Sequence, residues 1–176
     1  QAGAAIAGQY LCDNLEEGSK VALLQGIIST TTGQLRAEGG AEALKACGLD
    51  LVAELPGDWD VQRGQAVTED ILTQHPDLAG IFASNDNMAL GAIEALRLQG
   101  LIDQVTVVGV DANPNAADSI LAGEMSATVA QNPFNMGYFG VESLIALING
   151  ETLDPVIDTG TVLVDESNAA EFASGE

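Results

Sequence analysis

The sequence predicts an α/β fold in which a doubly wound, mainly parallel sheet carries helices on both faces. Short β-branched and aliphatic runs alternate along the chain with longer helical segments, and these runs lack a regular polar alternation. Such runs are typical of strands buried on both faces of a parallel sheet. Glycines stand where several of the helices should end, as expected for left-handed C-terminal caps. The order of the elements therefore indicates repeated βαβ units.

Five strands are predicted before residue 132, and a helix precedes the first of them at about 1–16. The strands are KVALLQG (20–26), LDLVAEL (49–55), LAGIFAS (78–84), VTVVGVD (105–111) and SATVAQ (126–131), and the helices between them cover about 31–47, 60–75, 86–99 and 113–122. The glycines that would close helices are Gly18, Gly48, Gly100 and Gly123.

The chain changes character after Gln131. The segment NPFNMGYFGVESLIALING places Pro133 near the start of an apolar helix that ends at about Ile148. A final strand, GTVLVDE, follows it, and the end of the chain is polar and acidic. We therefore divide the chain into a lobe (1–131), a helix and strand beyond it (132–164) and an acidic tail (165–176).

Composition excludes several classes of protein. The 176 residues suffice for one domain with a sizeable core, and the longest apolar runs are far too short to span a membrane. With 26 Asp and Glu against 5 Lys and Arg, the formal net charge is −21. Such a charge repels nucleic acid and anionic lipid, so we expect no nucleic-acid partner and no membrane-surface partner. It is compatible with a salty or extracytoplasmic setting.

The two cysteines leave two alternatives open. Cys12 and Cys47 lack metal-ligand spacing and lie near the ends of predicted helices, where a small apolar residue packs well. They could pack as free thiols or pair in a disulfide. The chain begins with Gln1 rather than Met, and no signal peptide or lipidation motif is visible, so we expect a processed or truncated start.

Polar or aromatic side chains follow the predicted strands, at the edge where the carboxyl ends of the strands meet. Ligands of open parallel sheets bind just beyond this edge. Arg donates from a planar fork, Asp accepts, Asn and Gln do both, and Trp offers a flat face to the C–H face of a sugar. The set predicts a site for a neutral polyhydroxylated ring; it consists of Arg36, Trp59, Asn85, Asp111 and Gln131.

Each of these residues also has a purely structural alternative. Asn85 and Asp111 could cap the helices that follow them. Arg36 could pair with a neighbouring carboxylate, and Trp59 could cover an apolar edge. Gln131 could hydrogen-bond to backbone where the chain leaves the sheet. All five alternatives would have to hold together for the edge to carry no ligand.

The sequence predicts no catalytic group at the same edge. The segment GIISTTTG lacks the lysine of a phosphate-binding loop, and Asp111 would repel an anion. The single histidine, His75, precedes Pro76 at a helix end away from the strand tips, so no catalytic triad is expected. No Cys, His and carboxylate cluster has ligand spacing. We predict a non-enzymatic protein without catalytic residues, metal or cofactor.

Several segments resemble the carboxyl-terminal portion of periplasmic sugar-binding proteins of the ribose-binding type. They include LLQGIISTTTGQLRAEGG, HPDLAGIFASNDNMALGA, VTVVGVDANPNAADSILAGEMSATVAQNP and GVESLIALINGE, and the resemblance covers essentially residues 1–172. It implies a flavodoxin-like lobe of a two-lobed hinge protein that closes around a monosaccharide, ribose or a similar sugar, and delivers it to the membrane subunits of an ABC transporter. A periplasmic or other extracytoplasmic, cell-surface location is implied as well.

The resemblance places the family's ligand contacts of this lobe on the same five residues. Arg36 and Asp111 would bind ring hydroxyls, Asn85 and Gln131 would complete the polar set, and Trp59 would stack on the sugar. The two residues after Asn85, Asp86 and Asn87, would then be caps or residues of the interface between lobes.

The resemblance also implies that the amino-terminal lobe would precede Gln1 and is missing from the chain. The chain would cross to that lobe after Gln131, so helix 134–148 and part of the final strand would lose their packing partner. The exposed helix could then pair two copies of the chain. Two other functions stay open. The ligand-binding core of a sugar-responsive repressor would need a helix-turn-helix upstream, and the acidity argues against it. An enzyme on the same sheet would need a nucleophile and base at the strand tips.

Overall fold

The structure is a computed structural model that describes residues 2–173. Helices and strands alternate along this part of the chain, as the sequence predicts. The helices are α1 (Ala2–Asn14), α2 (Thr31–Ala46), α3 (Val61–Gln74), α4 (Asp86–Gln99), α5 (Pro114–Leu121) and α6 (Pro133–Ile148), and a short 3₁₀ turn covers Ala169–Glu171. The strands are β1 (Lys20–Gln25), β2 (Asp50–Pro56), β3 (Gly80–Ala83), β4 (Thr106–Val108), β5 (Thr128–Gln131) and β6 (Thr161–Val164).

The sheet is parallel in its central part and has the order β2-β1-β3-β4. In its register, Val21 of β1 lies beside Gly80 of β3, and Gly80 lies beside Thr106 of β4. β5 continues the sheet beyond β4 through a parallel bridge between Val108 and Ala127. β6 returns antiparallel to β5. This order is that of a doubly wound sheet, which confirms the predicted fold class.

Alternation along the strands divides the core between the two faces of the sheet. Val21 and Leu23 of β1 pack with residues of α1 and α2 in one apolar cluster. Ala22 and Leu24 pack with residues of α3, α4 and α5 in the other. Successive side chains of a strand point to opposite faces, so a strand that is buried on both faces needs an unbroken apolar run. Because β1 to β4 pair in parallel and β5 joins β4 through a parallel bridge, the carboxyl ends of the five predicted strands lie at one edge of the sheet.

The fourth predicted strand is shorter in the structure than in the sequence analysis. The run 105–111 pairs with β3 only over Thr106–Val108, because the chain then bends away toward β5. The amide of Asp111 donates to the carbonyl of Val129, and the carbonyl of Val110 accepts from the first amide of α4. Asp111 thus lies between a backbone hydrogen bond to β5 and one to the start of α4.

The helices end where the sequence predicts. Gly100 is the C-cap of α4 in the left-handed region, with φ of 70°. Gly48, just after α2, has φ of 81°. Glycine adopts this conformation without the steric cost that a Cβ brings.

Cys12 and Cys47 form a disulfide, with 5.9 Å between their Cα atoms. The bond joins the end of α1 to the C-cap of α2, and both helices lie on the same face of the sheet. Of the two alternatives that the sequence left open, the structure shows the disulfide. Its position at the C-terminal end of α2 is remote from Arg36, near the other end of that helix.

α6 stands apart from the core, since none of its residues is buried. β6 by contrast belongs to the lobe, because it pairs with β5 and buries Val164 completely. Within the predicted acidic tail, Ala169 is fully buried and Phe172 packs against the core. The last three residues of that segment, 174–176, lie outside the described residues. The division of the chain into three segments stays a prediction.

Candidate functional site

The site is centred on Arg36, which lies in the second turn of α2. One terminal nitrogen, Nη1, donates to the carbonyl of Ser84 at 2.8 Å. The other, Nη2, donates to Asp111 Oδ1 at 2.6 Å and to Gln131 Oε1 at 2.9 Å. One guanidinium therefore connects the residue after β3, the turn after β4 and the last residue of β5. We call Arg36, Asp111 and Gln131 the strand-end cluster.

The cluster contains a short ion pair whose charges offset each other. Only 11% of the Arg36 side chain and 31% of the Asp111 side chain are exposed. Charge-assisted hydrogen bonds of this kind are short and hold their partners in fixed directions. A guanidinium has five N–H donors, and Nε of Arg36 is buried without a partner among the described atoms. The edge is thus polar without a net charge, which suits a neutral ligand that carries hydroxyl groups.

Trp59 lies beside this cluster. Its ring centroid is 5.5 Å from the guanidinium carbon of Arg36, a cation–π arrangement. The ring also packs over Gly26, where an added Cβ would collide with the indole. Asp58 and Trp59 both have positive φ, 53° and 66°. The half-buried ring therefore serves local packing and lines the polar edge at the same time.

Asn85 caps α4, as one of its structural alternatives predicted. Its Oδ1 accepts from the amide of Met88 at 3.0 Å, and the residue is 6% exposed. It directly follows Ser84, whose carbonyl accepts from Arg36. The side-chain amide of an asparagine retains two N–H donors when its oxygen caps a helix. Asn85 thus stands beside the site, because the residue before it is hydrogen-bonded to Arg36 of the strand-end cluster.

Asp111 does not cap the helix that follows it. The N-cap position of α5 is Asn113, which makes no side-chain capping bond. Asp111 has φ of 126° and Ala112 has φ of 55°. Both values are uncommon for residues other than glycine and cost free energy unless the surroundings hold them. The carboxylate of Asp111 faces Arg36 because of this turn.

The sequence analysis missed the role of Asp86. We expected a cap or an interface residue, but the side chain is fully buried and Asn85 provides the cap. Its Oδ1 accepts from the hydroxyl of Thr128 at 2.5 Å, and its Oδ2 accepts from the amide of Asn113 at 2.7 Å. Burial raises the pKa of Asp86 to about 6, against the opposing effect of these two hydrogen bonds. A hint in the sequence was Gly109, where a Cβ would collide with Asp86 Oδ1.

Asn87 is exposed, and its side-chain nitrogen donates to the carbonyl of Trp59 at 3.3 Å. This bond connects the start of α4 to the turn that carries the indole. An interface role for Asn87 stays a prediction.

A cavity of about 460 Å³ opens beside the strand-end cluster. Asp111 and Gln131 line it from the sheet, and Pro133 and Gly160 line it from the segments that leave and re-enter the lobe. A larger, open groove of about 750 Å³ lies at the amino end of β5, between Tyr10 and Ser167. We assign the site to the smaller cavity because two members of the strand-end cluster, Asp111 and Gln131, line it, and hydrogen-bonding groups of this kind orient ligands. Arg36, Trp59 and Asn85 are not among its lining residues.

Among residues 2–173, no group of three or more His, Cys, Asp and Glu side chains could hold a metal ion. Within the same range, no helix combines the length and the apolarity that a membrane span requires.

Comparison with known proteins identifies relatives that share this lobe. The D-ribose/D-allose-binding protein of Pseudomonas aeruginosa is 36% identical over 166 residues, which are 92% of this chain and 52% of the relative. The ribose import binding protein of Escherichia coli is 41% identical over 149 residues, 85% of this chain and 50% of the relative. The chain thus spans about half the length of the curated relatives it matches. They are solute-binding proteins by name, which agrees with the prediction of a non-enzymatic chain.

Solved structures show the same architecture. A periplasmic solute-binding protein of an ABC transporter from Actinobacillus succinogenes, solved with bound D-allose, superimposes with a TM-score of 0.89 at 30% identity. The match covers 96% of this chain and 60% of that protein. A family model described as a periplasmic binding protein domain matches residues 1–152. From this match and from the relatives, the chain belongs to the periplasmic binding protein family and is of the ribose-binding type.

Proposed function

We propose that this chain binds a monosaccharide, ribose or a similar pentose or hexose, at the carboxyl edge of its sheet. In this proposal it is the carboxyl-terminal lobe of a two-lobed solute-binding protein that delivers sugar to the membrane subunits of an ABC transporter. The observation that carries the proposal is the strand-end cluster, in which one guanidinium orders Asp111 and Gln131 beside a tryptophan. The P. aeruginosa and E. coli relatives bind ribose by name, which supports the choice of sugar.

The chemistry of the cluster fits a sugar ring. Asp111 offers carboxylate oxygens to hydroxyl donors, Gln131 and Asn85 offer amide donors, and Trp59 offers an aromatic face. Arg36 already holds Asp111 and Gln131 in place, so binding need not collect these groups from separate positions. Such preorganisation saves the free energy that ordering side chains would otherwise cost.

The partner of the lobe is proposed to contact α6. This helix exposes a row of large apolar side chains, including Val141, Leu144 and Ile148, the last of which is 83% exposed. We propose that an amino-terminal lobe covers this face, since the chain matches only about half of each relative. Without that lobe, we expect the same face to pair two copies of the chain. An extracytoplasmic location, periplasmic or at the cell surface, accompanies the proposal and agrees with the disulfide.

The test is a titration of this chain with D-ribose, followed by calorimetry or by NMR. We expect saturable binding with a dissociation constant above about 1 µM, because one lobe supplies only part of an enclosing site. Arg36→Ala should weaken binding at least about tenfold, since it removes the group that orders Asp111 and Gln131. Arg97→Ala, at an exposed arginine near the C-terminal end of α4, is the matched control and should leave binding unchanged. Equal effects of the two substitutions would contradict the proposal.

A further inference from the structure

We propose that Asp86 is a positioning residue for the sugar site: together with Thr128 it holds the backbone after Asp111 in the turn that directs the Asp111 carboxylate at Arg36. The inference rests on the proposed sugar-binding function and adds a residue that does not itself face the ligand. Asp86 is fully buried, so it has no surface to offer a sugar.

The turn after Asp111 needs such support. Two consecutive residues, Asp111 and Ala112, have positive φ, and neither is glycine. Conformations of this kind persist when surrounding contacts fix them. The amide of Asp111 pairs with the carbonyl of Val129 in β5, which fixes the start of the turn. The two amides that follow must find acceptors elsewhere, since buried N–H groups without partners are costly.

Asp86 and Thr128 provide these acceptors. The amide of Asn113 donates to Asp86 Oδ2 at 2.7 Å. The amide of Ala112 donates to Thr128 Oγ1 at 3.3 Å, and that hydroxyl donates onward to Asp86 Oδ1. Both amides after Asp111 are therefore connected to one carboxylate, directly or through one hydroxyl. The amide of Asp86 itself donates to the carbonyl of Val110, just before the turn.

The position of Asp86 makes this arrangement rigid. The residue is the first of α4, where the helix dipole favours a carboxylate, and its Oδ2 binds the backbone just before α5 as well. The absence of a side chain at Gly109 lets the carboxylate approach the end of β4. The Asp86 carboxylate thereby connects α4, β5 and the loop before α5.

The arrangement has a consequence for pH. The charged groups that act on Asp86 are Asp111, which raises its pKa, and Arg36, which lowers it; burial dominates and brings the pKa to about 6. Below that pH, Asp86 gains a proton, and the oxygen that carries the proton becomes a donor. It can then no longer accept from both Thr128 and Asn113 as it does when ionised. Because burial raises the pKa of Asp86 in the folded lobe, protonation favours the folded state, so this group contributes stability at low pH that is lost as the pH rises through about 6. We expect the hydrogen bonds of the turn to rearrange, and sugar affinity to change, as the pH drops through about 6.

The experiment compares Asp86→Asn with the matched control Asp103→Asn, at an exposed aspartate in the turn after α4. Amide hydrogen exchange of Ala112 and Asn113 is measured first, without sugar. We expect Asp86→Asn to speed exchange at one or both of these amides at least about tenfold, because the new NH₂ group cannot accept where a carboxylate oxygen did, and Asp103→Asn to leave exchange at both unchanged.

D-Ribose binding is then measured between pH 5 and pH 8. The ratio of the wild-type affinity to that of Asp86→Asn should change as the pH drops through about 6, because only the wild type titrates at this position. A residue that only stabilised the fold would lower the melting temperature of the variant and leave the ratio constant across the range.

Thr128 supplies a second pair of variants in case Asp86→Asn does not fold. Thr128→Val removes the hydroxyl at nearly constant shape and should expose the Ala112 amide to exchange and weaken D-ribose binding. Thr128→Ser keeps the hydroxyl and should restore both. Unchanged exchange at Ala112 and Asn113 in the folded variants would overturn the inference. If the wild type showed no saturable D-ribose binding, the proposed function would fall, while exchange would still decide whether Asp86 positions Asp111.

Discussion

At the residue scale, several side chains for which we propose a ligand contact also have a structural role. Asn85 caps a helix and directly follows Ser84, whose carbonyl accepts from Arg36, and Trp59 packs on Gly26 and lies beside the Arg36 guanidinium. The sequence analysis treated these roles as alternatives. The structure shows the structural roles, and under the proposed function the two kinds of role are compatible, because a residue at the junction of a strand and a helix has backbone neighbours on one side and the open sheet edge on the other.

The prediction at this scale concerns Trp59, the only tryptophan of the chain. Trp59→Ala should weaken D-ribose binding by about 1–3 kcal/mol, because it removes a large aromatic surface beside the cluster. Trp59→Phe retains a ring and should lose less. The measurement is a D-ribose titration of each variant alongside thermal melting. The stacking role would be wrong if Trp59→Ala lowered the melting temperature strongly and left the sugar response intact.

The residues that the sequence predicted and the residue that it missed differ in one physical respect. Asp111 and Gln131 were predictable because they stand at the carboxyl ends of buried apolar runs, and parallel strands bring such positions to one edge. Arg36 was predictable because it lies near the start of the helix that follows the first strand. Asp86 was not, because a carboxylate at the start of a helix has a sufficient local explanation in the helix dipole. Its actual partners, Thr128 and the Asn113 amide, are distant in sequence and depend on tertiary packing.

At the element scale, the disulfide also depends on tertiary packing that the sequence does not reveal. The positions of Cys12 and Cys47 near helix ends were evident from the sequence, whereas the approach of those two ends depends on how α1 and α2 pack on the sheet. Glycine caps such as Gly100, by contrast, were predictable because a left-handed C-cap is a local requirement.

The disulfide closes a loop with a sequence separation of 35 residues. Replacing both cysteines by serine should lower the free energy of unfolding by about 3–4 kcal/mol, since the unfolded chain regains the entropy that the cross-link removes. D-Ribose binding should be unchanged, because the bond lies at the end of α2 away from Arg36. The measurement is urea unfolding of both proteins, with a sugar titration as the control. Equal stability of the two proteins would contradict this prediction.

The exposed face of α6 leads to a prediction on association. Val141→Lys and Ile148→Lys together should abolish self-association of the chain, because they place two charges on the apolar face. Asn149→Lys, at the exposed C-cap of the same helix, is the matched control for the added charge. Sedimentation velocity across a range of concentrations is the measurement. A wild-type chain that stays monomeric at all concentrations would show that this face does not pair copies.

At the scale of the whole molecule, charge governs colloidal behaviour. The formal net charge is −21, and the sequence pI is about 4.1. Lowering the pH toward the pI removes the repulsion between molecules, so we expect association before loss of secondary structure. Light scattering and far-UV circular dichroism, recorded together from pH 7 downward, check this order. Scattering that stays flat down to the pI would contradict it.

The fold of the molecule and the composition of its edge support one central claim, that a sugar binds beside Arg36. The most direct measurement is an NMR map of the chain, with assigned backbone and side-chain signals, during a titration with D-ribose. The claim predicts that the largest saturable shifts fall on Trp59 Nε1, on the amide groups of Asn85 and Gln131, and on the residues around Asp111. Shifts centred on the groove between Tyr10 and Ser167 instead, or no saturable shifts at all, would contradict it.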